Sequence, residues 1–102
     1  MIELSPCHLD EVRTILREHV PGCEVRAFGS RVRGAAKGYS DLDLAVVASG
    51  SLADDTLRRL REAFEQSDLP FRVDVLDWRA ISPDFQEVVE KEYEIIQSAN
   101  RV

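Results

Sequence analysis

A small mixed β-sheet with helices packed mainly on one face, an α/β (α+β) arrangement, is the fold class this sequence predicts. Three observations predict it. Segments with helical spacing of apolar residues alternate with short apolar, β-branched runs, and Gly, Pro and Ser clusters punctuate them. A length of 102 residues suits a single domain, residues 1–102, with one sheet and a modest core but no second substrate-binding domain.

The elements follow in order. Ser5-Pro6 reads as N-cap and first helical residue, and Leu9, Val12, Ile15 and Leu16 mark one face of a helix over 6–19. Pro21-Gly22 breaks it, and Val25 to Phe28 forms the first strand. A Gly29-Ser30 turn leads into a short helical turn over 31–35, and the loop 37–40 feeds a second strand, Leu42 to Val47. This strand carries carboxylates at its head and is apolar afterwards, as expected where both faces are covered. Ser49-Gly50-Ser51 ends it, Ser51-x-x-Asp54 is a capping signal, and Leu57, Leu60 and Phe64 define a crossover helix to about Gln66. The third strand is Phe71 to Asp77. Ser82-Pro83 opens a last helix, with Phe85, Val88 and Val89 on one face, ending near Glu92. Tyr93 to Gln97 fits either a continued helix or an extended segment.

The chemistry concentrates in residues 29 to 43. Ten residues, 31 to 40, separate the Gly29-Ser30 turn from Asp41-Leu42-Asp43. On a strand the side-chain period is two, so carboxylates at i and i+2 project from one face with Cα atoms roughly 7 Å apart. Two such oxygens can hold Mg²⁺, which fills its remaining octahedral positions with water and substrate phosphates. Gly29 lets the backbone approach a phosphate closely, and the following N–H groups and the Ser30 hydroxyl can be presented to it. One end of the segment suits phosphate and the other suits metal.

Phe28-Gly29-Ser30-Arg31, Gly34 and Ser40-Asp41-Leu42-Asp43 together resemble the signature of the DNA polymerase β-like nucleotidyltransferase superfamily. Within it, the chain resembles the minimal nucleotidyltransferase (MNT) family over roughly Val25 to Ile96. The resemblance implies the polymerase β-like fold, a HEPN-type helical toxin as partner, and an antitoxin that transfers AMP from ATP to a tyrosine of that toxin. It further implies a third carboxylate on the next strand, within an apolar-Asp-apolar pattern. Asp74, between Val73 and Val75, supplies it at about 5 Å strand spacing from the Asp41/Asp43 face. Asp77 has the opposite parity and is the weaker choice.

The catalytic and metal candidates are therefore Asp41, Asp43 and Asp74, and the nucleotide-binding candidates are Gly29, Ser30, Arg31, Arg33 and Ser40. Arg31 and Arg33 put cations by the phosphate path, where charge-assisted hydrogen bonds are strong. Arg31 reads equally as solvated surface, and Lys37 more so. Ser30 also fits a helix cap, and Ser40 fits local hydrogen bonding that organises the loop. Tyr39 is either an exposed loop aromatic or a nucleotide contact. The implied mechanism is in-line transfer with two Mg²⁺ ions: Asp41 and Asp43 hold the ion bridging ATP, and with Asp74 hold the one that activates the acceptor hydroxyl. Asp74 is also placed to take the proton.

Composition bounds the alternatives. Apolar residues at 44% and charged residues at 31% belong to an ordinary globular chain, with no membrane-length apolar run and no signal-peptide pattern, so the cytoplasm is expected. Cys7 and Cys23 are sixteen apart without CxxC spacing and read as reduced packing residues. His8 and His19 lie on the first helix, away from the motif. A net charge of −6 argues against general nucleic-acid binding and favours a basic protein partner or simple solubility. Larger relatives complete their site with an added helical domain, so a homodimer or a HEPN-type partner is expected to complete this one. The rival readings are a non-catalytic binding module of the same fold and a transferase with a small-molecule or RNA acceptor.

Overall fold

A computed structural model of the chain describes residues 2, 4–34, 40–48, 52 and 55–99. The expected features at Lys37, Tyr39, Ser49-Gly50-Ser51 and the Ser51/Asp54 capping signal lie outside the described residues. Helix α1 spans Pro6–His19. The Ser5 hydroxyl accepts from the His8 N–H and Pro6 occupies the first turn, where its missing donor has no role. Gly22, with φ 81°, reverses the chain into strand β1, Glu24–Phe28. The four-residue helix α2, Ser30–Arg33, and strand β2, Leu42–Val47, come next. Helix α3 runs Thr56–Glu65, strand β3 Val73–Asp77, helix α4 Pro83–Lys91 and strand β4 Glu94–Gln97.

The sheet order is β3-β2-β1-β4. β1 is antiparallel to both β2 and β4, whereas β2 and β3 are parallel and α3 is the crossover between them. Of the ambiguous C-terminal segment, Glu94–Gln97 is thus a strand. Four residues are too few for periodicity to decide, and pairing with β1 decides instead.

Strand parity splits the side chains between two faces. Leu42, Leu44, Val46, Val25, Ala27 and Val75 face α1 and α3, packing with Val12, Leu16, Leu60 and Phe64 into the principal core. The opposite face carries Asp43, Ala45, Arg26, Phe28, Asp74 and Leu76. Among the described residues α4 covers part of it, through Val89 against Phe28 and Ala45. Two helices therefore cover one face and the last helix the other. The Ser82 hydroxyl accepts from the Phe85 N–H at 3.2 Å, and the Gln86 side chain donates to the Trp78 carbonyl at 2.8 Å, anchoring α4 to the end of β3. Arg26 lies between Trp78 and Tyr93, 4.7 Å from each ring centroid, and joins the turns at both ends of α4 to the sheet.

Each outer strand presents a carbonyl that an arginine takes up. Arg61 on α3 donates through Nε and Nη2 to the Val75 oxygen of β3, at 3.2 and 2.8 Å. Arg13 on α1 donates through Nε to the Ile96 oxygen of β4 at 3.2 Å.

Candidate active site

Gly29 and Asp43 meet at the open face. Gly29 has φ 85°, a conformation that costs an L side chain strain, and a Cβ there would lie 2.3 Å from Asp43 Oδ2. The position thus requires glycine twice, once for the backbone and once for the carboxylate above it. The Gly29 carbonyl accepts from the Val32 and Arg33 N–H groups at 3.0 Å each, which winds α2 directly after the turn. Gly34, left-handed at φ 79°, closes that helix.

Asp43 and Asp74 are Cα partners in the parallel β2/β3 register, so their carboxylates share the open face on adjacent strands. The next parity position back on β2 is Asp41, exposed and one residue before the strand. Burial pushes the Asp43 carboxyl above its ordinary value, and the charges of Asp74 and Asp41 push it further, while Arg33 opposes them. Asp77, at the end of β3, accepts from the Arg79 N–H at 3.0 Å and serves the turn.

A cavity of about 940 Å³ opens over these residues and wraps the outer edge of β3. Of the eight residues nominated from sequence, Gly29, Ser30, Arg33, Asp43 and Asp74 line it. Arg31, Ser40 and Asp41 do not. Arg31 is 5% exposed, its Nε donates to the Ser40 carbonyl at 2.9 Å, and its guanidinium lies 4.3 Å from the Phe71 ring centroid. In this structure Arg31 fastens α2 to the residue before Asp41. Ser40 takes part through its backbone, as an organiser of the strand entry. Phe71 also receives His8 edge-on, with centroids 5.7 Å apart, which makes His8 a packing residue.

Sequence reasoning passes over several residues of the cavity wall. Arg72 pairs through Nε with Asp74 Oδ1 at 3.2 Å. Phe85, Val88 and Lys91 of α4 form the far wall, and Phe85 packs edge-on to Phe28, centroids 5.8 Å apart. Arg72 has a sequence signal, since it lies two residues before Asp74 and shares its face. The α4 residues have none, because helical spacing does not say which face of a sheet a helix takes.

Among the described residues, no group of three His, Cys, Asp or Glu side chains is gathered in metal-holding geometry. The donor set nevertheless suits a hard divalent cation: carboxylate oxygens on neighbouring strands, one of them disfavoured as a bare anion by burial and like charge. A cation there would relieve that cost.

Residues 9–97 match the model of the nucleotidyltransferase domain family. A Haemophilus influenzae protein named "Probable protein adenylyltransferase MntA" is 52% identical over 100 residues, covering 98% of this chain and 88% of its own length. A crystal structure described as a toxin–antitoxin with AMP-PNP superposes with a TM-score of 0.73 at 25% identity, over 89% of this chain and 73% of that one. A structure of a candidate minimal nucleotidyltransferase gives 0.67 at 34% identity, over 86% and 88%. The MNT antitoxin complexed with tri-AMPylated HEPN toxin from Shewanella oneidensis shares the fold, with a TM-score of 0.68 at 24% identity, over 91% of this chain and 71% of that one.

Proposed function

This chain belongs to the nucleotidyltransferase domain family, and from that premise we propose that it transfers AMP from ATP to a tyrosine hydroxyl of a HEPN-type helical toxin, acting as its antitoxin. The observation that carries the reading is the placement of Asp43 between Gly29 and Asp74 in one cavity. A phosphate-approach turn and two strand-borne carboxylates converge there. The relative named as a protein adenylyltransferase supports the reaction class, and the solved complexes support the kind of partner.

Asp41, Asp43 and Asp74 are the residues that would hold Mg²⁺, two ions in the full reading. When bound, Mg²⁺ supplies charge neutralisation for the triphosphate and lowers the pKa of the acceptor hydroxyl. Gly29 leaves room for the triphosphate beside Asp43, and the Ser30 hydroxyl and the Arg33 guanidinium offer it donors. Arg31, through Ser40, fixes the entry to β2 and hence the position of Asp41. In the reaction the tyrosine oxygen bonds to the α-phosphorus, the bond to the bridging pyrophosphate oxygen breaks, and Asp74 accepts the tyrosine proton. No helix among the described residues is long and apolar enough to cross a membrane, and we assign the reaction to the cytoplasm, where ATP and such a partner would meet.

Intact mass of the purified HEPN-type partner, after incubation with this protein, ATP and Mg²⁺, tests the proposal. The expected result is a gain in steps of one AMP that disappears with the Asp41→Asn/Asp43→Asn double variant, a rate loss of about 10³-fold or more. A stable complex without any mass gain would leave a binding module on a transferase fold and overturn the catalytic reading.

A further inference from the structure

Asp74 already has a cation. Arg72 directly precedes β3, and its carbonyl accepts from the Leu42 N–H at 2.9 Å, so the ladder reaches it and its side chain shares the open face with that of Asp74. Arg72 Nε lies 3.2 Å from Asp74 Oδ1, with the arginine side chain 75% exposed and the aspartate 39%. Continuing the β2/β3 register by one step sets Arg72 beside Asp41, as Asp74 is set beside Asp43. Three carboxylates and one guanidinium thus occupy four neighbouring positions. In this arrangement one oxygen of Asp74 is committed to Arg72.

A divalent cation drawn to Asp74 competes with Arg72 for that carboxylate. The long, mostly exposed arginine side chain is free to leave it without disturbing the core. It lines the same cavity as Ser30 and Arg33, where a triphosphate would bring several anionic oxygens. A guanidinium is always charged and its planar fork matches phosphate oxygens, so the released group has a better acceptor than water. We propose that Arg72 is an exchangeable counter-ion: it holds Asp74 in the resting protein and passes to the triphosphate when a divalent cation takes that carboxylate. This rests on the site reading above and makes Arg72 a positioning residue for Asp74 and a ligand for the nucleotide.

Opposite signs in two binding measurements test it. Mn²⁺ affinity without nucleotide, read from the free-ion signal by electron paramagnetic resonance, should rise about two- to fivefold in Arg72→Gln, the range of an exposed ion pair. Affinity for an ATP analogue that cannot be cleaved between the α- and β-phosphates, measured by calorimetry at saturating Mn²⁺, should fall about tenfold. Arg72→Lys keeps the charge beside Asp74 but loses the fork, so its Mn²⁺ affinity should stay near that of the unmodified protein while its analogue affinity falls. This second variant keeps the test decisive if Arg72→Gln folds poorly, which thermal melts would reveal. Unchanged Mn²⁺ affinity in Arg72→Gln, or unchanged analogue affinity in either variant, overturns the exchange while leaving the transferase reading intact. If the unmodified protein binds neither Mn²⁺ nor the analogue, the site reading itself fails and the exchange with it.

Discussion

The two faces of the sheet differ by one residue step along each strand, yet one is closed and the other open. Leu42, Leu44 and Val46 on β2 are 0% exposed beneath α1 and α3. Asp41 and Asp43, interleaved with them, look out over a face that α4 covers only in part. Stability and chemistry are therefore carried by the same strand in alternate positions. A single-residue slip of register would exchange them, burying the carboxylates and exposing the leucines. The deep packing of the closed face is what holds the carboxylates at a fixed height on the open one.

Substitutions on each face should separate these two contributions. The largest effect on folding is expected on the closed face: Leu44→Ala should lower stability by about 2–5 kcal/mol, read as a shift in urea midpoint, because a fully buried side chain leaves a cavity. At temperatures where that variant stays folded, its KM for ATP should remain near that of the unmodified protein. A raised KM in fully folded Leu44→Ala would break the division between the faces.

A smaller loss of stability but a large loss of activity is expected at the junction. Gly29→Ala places a methyl group at positive φ and against Asp43 Oδ2, so it should cost about 1–3 kcal/mol. It should also slow transfer by about a hundredfold, as displacement of a reacting group by an ångström does. Transfer rates and melts on the same preparation check both numbers, and an unaffected rate would show that Asp43 need not sit where Gly29 allows it.

The smallest effect belongs to the open face. The Asp43 carboxyl is raised above its ordinary value by burial first, then by Asp74 and Asp41. A carboxyl raised in the folded state favours folding while protonated, and that contribution is lost as pH rises through its folded-state value. In metal-free buffer Asp43→Asn should therefore melt above the unmodified protein at pH 7, and the gap should close as pH falls into the range where Asp43 takes up its proton. An Asn variant no more stable at pH 7 would mean that the carboxylates carry no such cost.

Much of this division is legible in sequence, for reasons that differ by element. Ser5-Pro6 and Pro21-Gly22 bracket α1, and the helix occupies the expected 6–19. The alternation of Asp and Leu from 41 to 44 fixes both strand and parity, and it places Asp74 beside Asp43 once the crossover helix makes β2 and β3 parallel. Periodicity says less where the partner decides. Within Tyr93–Gln97, residues Glu94–Gln97 become a strand because β1 offers an edge, and α4 takes the open face although its apolar stripe resembles that of α3. Charged residues are the least readable. Arg31 reads as a cation near phosphate or as surface, and it is buried beneath Phe71 with the Ser40 carbonyl as partner. Arg61, on the crossover helix, reaches the backbone of β3. A long side chain can travel several ångströms from its Cα, and no local pattern encodes where it stops.

The arginine contacts at the two outer strands bear on how this protein meets others. A bare strand edge invites another chain to lengthen the sheet, and charged groups laid across an edge discourage it. With Arg61 on the Val75 carbonyl and Arg13 on the Ile96 carbonyl, one acceptor on each outer strand is already taken from the helical side. A companion strand laid along either border would meet a guanidinium there before its ladder could run the full length.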